Sequence, residues 1–268
     1  FTAPGIGTFD ITTEDASGSF SRFTISQIGD ANFSLIQIGA CHVFRRTGDL
    51  TTIAFGALPQ SLDAGSQLTL NGPNASNRAM PKEQGSYLVT LYSSGFGGFG
   101  GTGSPTLTQG RYTISGTGGA DVGAFSASID FPGAFTWTNE SSVPAVIPRS
   151  QNLPITWTGG GDGLVAVSGF GGSRVGGTDE DPIYDVAGFT CTALASAGSL
   201  TVAPTVLQHL PQVSGDPTTG SIGNLVVTAV PDASRGQGVF SAPLTAGGSL
   251  DFGSISYAVG SSKSVGFN

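Results

Sequence analysis

Several groups of residues in this 268-residue sequence have types and spacings that could do chemistry. Gly95-Phe96-Gly97-Gly98-Phe99-Gly100 fits G-x-G-x-x-G, a pattern that lets backbone amides approach a pyrophosphate. It works only where a strand feeds a helix, and the following Gly101-Thr102-Gly103-Ser104-Pro105 cannot start one. The stretch 95–103 therefore reads as a glycine-rich loop, as does 171–177, and no nucleotide site is expected. A serine nucleophile would need a base, yet the chain has only His42 and His209 and no G-x-S-x-G elbow. Cys41 precedes His42, but neighbours along a strand point to opposite faces and cannot form a thiolate–imidazole pair. Structural roles are expected for both histidines, and no catalytic residue is assigned.

Carboxylates are the next candidates, because glycoside hydrolysis needs only two across a cleft. The densest group is Asp179-Glu180-Asp181 with Asp185, beside Pro182. A short loop with this many oxygen ligands is a Ca²⁺ candidate; the competing reading is a solvated acidic loop. Asp10, Glu14 and Asp15 form a sparser second group. No other cofactor is implied.

Trp137 and Trp157 lie in the similar strings Phe135-Thr136-Trp137-Thr138 and Ile155-Thr156-Trp157-Thr158. Exposed and coplanar, they would make a sugar-stacking platform, so carbohydrate is a possible ligand. Within alternating strands, tryptophan more often belongs to a sandwich core, and that role is preferred. Cys41 and Cys191 are the only cysteines and lack the spacing of a zinc site. In an oxidising compartment they are a disulfide candidate; otherwise they are two separately buried small side chains.

These residues must be positioned by strands. Glycine-separated segments alternate Val, Ile, Leu, Phe and Tyr with Ser and Thr, as half-buried strands do. They fall near 18–28, 32–46, 50–58, 66–71, 86–93 and 110–115, then 124–131, 154–158, 164–170, 188–192, 198–202, 225–230, 238–241 and 250–259. Only 203–210 reads as a helical turn, with Pro204 at its first position. The spacing predicts an all-β protein of two immunoglobulin-like sandwiches. Pro132-Gly133 suggests a boundary between an N-terminal domain, 1–132, and a C-terminal one, 133–268.

Composition narrows the partners. The net charge is −8 with ten basic residues, too few to neutralise a run of phosphates, so nucleic acid is not an expected partner. No apolar run approaches the ~20 residues of a membrane span, and the chain opens at Phe1 rather than Met, as an exported product does after signal removal. Charged residues make up 10%, against ~25% in ordinary soluble domains, and only Lys82 and Lys263 are lysines. Lysine commonly guards sheet edges against pairing, so some edges here must be protected otherwise, or used.

The stretch Gly110-Arg111-Tyr112-Thr113-Ile114-Ser115-Gly116-Thr117-Gly118-Gly119-Ala120-Asp121-Val122-Gly123-Ala124-Phe125 resembles a signature of uncharacterised exported β-rich proteins of environmental bacteria. Leu62-Asp63-Ala64-Gly65, Leu70-Asn71-Gly72-Pro73, Phe135-Thr136-Trp137-Thr138-Asn139 and Phe189-Thr190-Cys191-Thr192-Ala193 are similar in the same way. The resemblance implies export and an immunoglobulin-like fold, and it brings no activity. Independently, the glycines of 116–123 would permit a tight turn whose amides Asp121 could cap.

The expected role is structural: an extracellular or cell-surface, fimbria-like subunit that pairs with copies of itself by β-strand addition. Phe1, Ile6, Phe9 and Ile11 mark the N-terminal segment as the expected donor, and the alternating residues 264–268 could also join a sheet edge. The alternative is a monomeric adhesin or carbohydrate-binding module.

Overall fold

The alternating segments form antiparallel strands in the computed structural model, which describes residues 13–22, 33–48, 60–93, 107–178, 180–214 and 221–268. Among these residues the chain is all-β, and its single α-helix, α1, is the four-residue Pro204–Leu207. It starts on Pro204 and buries Val206 and Leu207, as expected from 203–210. The chain forms two units. One comprises 1–22, 59–131 and 238–255; the other comprises 23–58, 132–237 and 256–268. They interleave along the sequence rather than dividing it into consecutive halves, 1–132 and 133–268. Of the crossings, only Phe131 to Pro132 lies at the boundary read from Pro132-Gly133. Composition marks where a chain turns; it does not mark where the chain later returns to an earlier sheet.

The strands, numbered in chain order, are β1 (Thr13–Ser19), β2 (Ser21–Arg22), β3 (Phe33–Ile38), β4 (Cys41–Gly48), β5 (Gln60–Ser61), β6 (Gln67–Gly72) and β7 (Ala75–Glu83). Next come β8 (Ser86–Ser93), β9 (Gly110–Gly116), β10 (Phe125–Phe131), β11 (Phe135–Trp137), β12 (Val146–Ile147), β13 (Leu153–Gly159) and β14 (Leu164–Gly177). The last are β15 (Pro182–Leu194), β16 (Ser199–Val202), β17 (Ser221–Val230), β18 (Val239–Phe240), β19 (Gly253–Ser254), β20 (Val259–Ser264) and β21 (Gly266–Phe267).

In the first unit a six-stranded sheet runs β1-β8-β7-β6-β9-β10, and β2-β5 and β18-β19 form short ladders. Leu68, Leu70, Met80, Tyr87, Tyr112 and Ile129 supply its buried side chains, and Phe125 stacks on Phe240 at 5.6 Å. Gln84 and Gly85, both at positive φ, close the β7–β8 hairpin in the manner of a type I′ turn. Strand β7 was not expected from the sequence. Asn77, Arg78, Pro81 and Lys82 interrupt its alternation, and its pairing with β6 and β8 sets its conformation instead.

In the second unit a six-stranded antiparallel sheet runs β20-β17-β14-β15-β4-β3, accompanied by the three-stranded sheet β11-β13-β16. One buried cluster holds Trp137, Ile155 and Trp157 of the small sheet with Val167, Phe189, Leu225 and Val227 of the large one. The two sheets therefore bury their apolar faces together, the sandwich arrangement. Phe267 of β21 is buried in the same cluster, between β12 and Val213, so the C-terminal alternation is consumed inside its own unit.

Three expected elements differ. Residues 171–177, read as a loop, continue β14: Gly171 and Gly172 pair with Ala187 and Val186, while Pro211 and Val213 lie over Gly171. Missing side chains at 171 and 172 are compensated by large neighbours, which composition cannot reveal. The span 32–46 is a hairpin rather than one strand, turning at Gly39-Ala40 with Gly39 at φ 59°. Within 250–259, only β19 and the first residue of β20 are strand. The loop 95–103 and all of 50–58 lie outside the described residues.

Candidate functional site

Cys41 and Cys191 face each other on β4 and β15, and their sulfurs are bonded. The Cα atoms stand 3.9 Å apart and both residues are buried, so the bridge fastens the β3–β4 hairpin to the sheet. Cys41 is thus no nucleophile. His42, the next residue on β4, is exposed opposite Thr190 and Gln37, and His209 follows α1.

Of the acidic group, the described residues Glu180, Asp181 and Asp185 are not brought together. Asp185 is buried on β15, where Arg45 Nε and Nη2 donate to its two oxygens at 3.0 and 2.8 Å and Thr47 Oγ1 donates at 3.2 Å. This bidentate pair uses the carboxylate that the loop reading would have given to Ca²⁺. Glu180 and Asp181 are exposed at the end of the β14–β15 hairpin, and Asp179 lies outside the described residues. Among the described residues no three His, Cys, Asp or Glu side chains converge. Of the second acidic group, Asp15 is exposed on β1 opposite Thr90, and Asp10 is outside the described residues.

Trp137 and Trp157 are a directly opposed pair on β11 and β13, exposed by only 5% and 3%. The Trp137 indole donates to Asn139 Oδ1 at 2.9 Å, and that of Trp157 donates to Ala195 O at 2.8 Å. They are core residues and supply no sugar platform.

Sequence reading missed how two glycine-rich motifs lock together in the first unit. Asp63 O accepts from the amides of Asp121 and Val122, and Asp63 Oδ2 accepts from Ala120 N at 2.9 Å. Asp121 does not cap its own turn; its Oδ2 accepts from Asp63 N at 2.8 Å. Lys82 Nζ bonds Asp63 Oδ1 at 2.5 Å, and Tyr87 Oη bridges Ala64 N and Gly65 O. The Ala120 amide, then Lys82, hold the Asp63 carboxyl down at about 2. The same bond raises Lys82 above its ordinary value. Every acceptor here serves another part of the chain, so the cluster positions two loops rather than a ligand.

The two edges of the large sheet differ. At β20, Lys263 Nζ donates to the carbonyls of Glu140 and Val143 at 2.8 and 2.6 Å, which ties the edge to a neighbouring segment. At the other edge, β3 pairs only with β4 among the described residues. Its sequence, Phe33-Ser34-Leu35-Ile36-Gln37-Ile38, contains no charge. Leu35 and Ile36, on opposite faces, are 61% and 41% exposed. A strand whose outer main-chain groups meet no partner among the described residues, with exposed aliphatics on both faces, is a template for another strand. The signal was present in the charge-free alternation of 33–38; its place at an edge was not. Phe1, Ile6, Phe9 and Ile11, the expected assembly residues, lie outside the described residues. No protein-family model and no curated protein sequence matches the chain.

Proposed function

We propose that the protein is an extracellular structural subunit with immunoglobulin-like sandwich architecture that assembles into a surface filament by β-strand addition. The observation that carries this is the β3 edge: uncharged, apolar on both faces and paired on one side only among the described residues. Natural sheets usually blunt such an edge with lysine, proline or a bulge, and β3 has none of these. The Cys41–Cys191 bond supports an oxidising, extracytoplasmic setting and holds the edge hairpin in place. Low overall charge favours close packing of copies.

Electron microscopy of the purified full chain tests the proposal. Elongated assemblies are expected at micromolar concentration and are expected to disappear in Leu35→Lys, which puts a charge on the edge. Single particles at every concentration would end the filament reading.

A further inference from the structure

We infer that the partner of β3 is the β3 strand of a second copy, paired antiparallel about a two-fold axis at Leu35. This rests on the strand-addition reading and names its occupant. The β3–β4 hairpin has a two-residue loop, Gly39-Ala40, between the opposed residues Ile38 and Cys41. In such a hairpin the closing pair exchanges both main-chain bonds, and bonded pairs then alternate. Ile38, Ile36 and Ser34 therefore turn their N–H and C=O groups toward β4, and Phe33, Leu35 and Gln37 turn theirs outward. Cys41–Cys191 agrees with this phase: Cys41 spends its main-chain groups on β3 and meets Cys191 as a non-hydrogen-bonded pair, where cross-strand side chains come closest.

Three outward positions spaced by two, centred on Leu35, are self-complementary. The axis sets Leu35 against Leu35 and Phe33 against Gln37 in both directions, for about six main-chain bonds. Ser34 then opposes Ile36 as a non-hydrogen-bonded pair. An axis at Ile36 would instead pair Leu35 with Gln37 in both directions for only about four main-chain bonds. An axis midway between Leu35 and Ile36 would set outward groups against inward ones and form none. Side chains suit the same register. Leu35 opposes Phe44, which lies over Gly188 and opposes it, and Phe170 opposes Gly188 from the far side. This apolar row would continue through the axis into the second copy. The strand carries no charge, which lets two copies of a −8 chain meet there without opposing like charges. A two-fold contact closes on two copies, so it makes a building block; a filament needs a second contact elsewhere.

Sedimentation of the full chain and oxidative cross-linking of cysteine variants test the inference. A wild-type dimer is expected, with at least tenfold weaker association in Leu35→Lys. Leu35→Pro removes an outward N–H while sparing the bonds to β4, and it should weaken association similarly. Matching thermal unfolding of the monomers shows that the variants fold. Ser34→Cys mixed with Ile36→Cys should cross-link rapidly, and each variant alone slowly, since only the mixture places thiols directly opposite. Equal cross-linking in all three, a monomer at every concentration, or a dimer insensitive to both Leu35 variants would overturn it. A dimer lost on deleting 1–12 but kept in Leu35→Lys would assign the donor to that segment instead. Filaments lost in Leu35→Lys without preferential cross-linking of the Ser34→Cys and Ile36→Cys mixture would sink this inference alone, whereas a β3 dimer without filaments would sink only the filament.

Discussion

Phe189 stands directly across from Gly169, and its ring occupies the space that a Cβ on Gly169 would need. The relationship recurs. Phe44 covers Gly188 on the opposite face of the same sheet, and Phe125 covers its partner Gly116 in the first unit. Large rings laid over strand glycines restore the packing that the missing side chains forfeit. Gly169→Ala is thus expected to cost about 1–3 kcal/mol in denaturant unfolding, because the ring and strand must shift. Gly176→Ala, with only the Ile183 Cβ at 4.0 Å, should stay within about 0.5 kcal/mol of wild type.

The Cys41–Cys191 bond spans 150 residues of sequence, so it restricts a large part of the unfolded chain. Replacing both cysteines by alanine should lower unfolding free energy by about 2–5 kcal/mol. Urea titration under oxidising conditions checks this, and reductant should bring wild type toward the variant while leaving the variant unchanged.

Asp63 gives the first unit a defined acid sensitivity. Its folded pKa of about 2 lies below the ordinary 3.8, so its contribution is complete above the unfolded value and is lost as pH falls toward 2. Lys82 has the opposite sign, contributing below its unfolded pKa and losing that contribution as pH rises through its raised folded value. Thermal unfolding from pH 5 to 2 should show a steeper decline in wild type than in Asp63→Asn.

Both indoles are buried, so tryptophan emission should be blue-shifted and resist iodide quenching until the protein unfolds. Soluble oligosaccharides should leave it unchanged. Trp157→Phe strips Ala195 O of its indole donor and should cost about 1–3 kcal/mol.

Arg45→Ala leaves the buried Asp185 carboxylate with Thr47 as its remaining side-chain donor and should destabilise by about 1–2 kcal/mol. Millimolar Ca²⁺ should not raise the melting temperature of wild type, since Asp185 is already held by Arg45. A clear rise would restore the acidic loop as a cation site.

The sequence by itself determined the β class, the short helix at Pro204 and the core character of both tryptophans, because alternation, proline position and flanking strands are local properties. It also limited the chemistry, since two histidines and no serine elbow are visible without a fold. Only the tertiary structure decided that Cys191 lies opposite Cys41, that Asp185 answers Arg45, that Asp63 reaches across to Ala120, and that 33–38 forms a sheet edge. These depend on register between segments up to 150 residues apart, and a shift of one residue would turn every side chain to the other face. The glycine tract 171–177 shows the same division: its composition reads as loop, and it becomes strand because β15 and β17 bond to it and larger residues cover it.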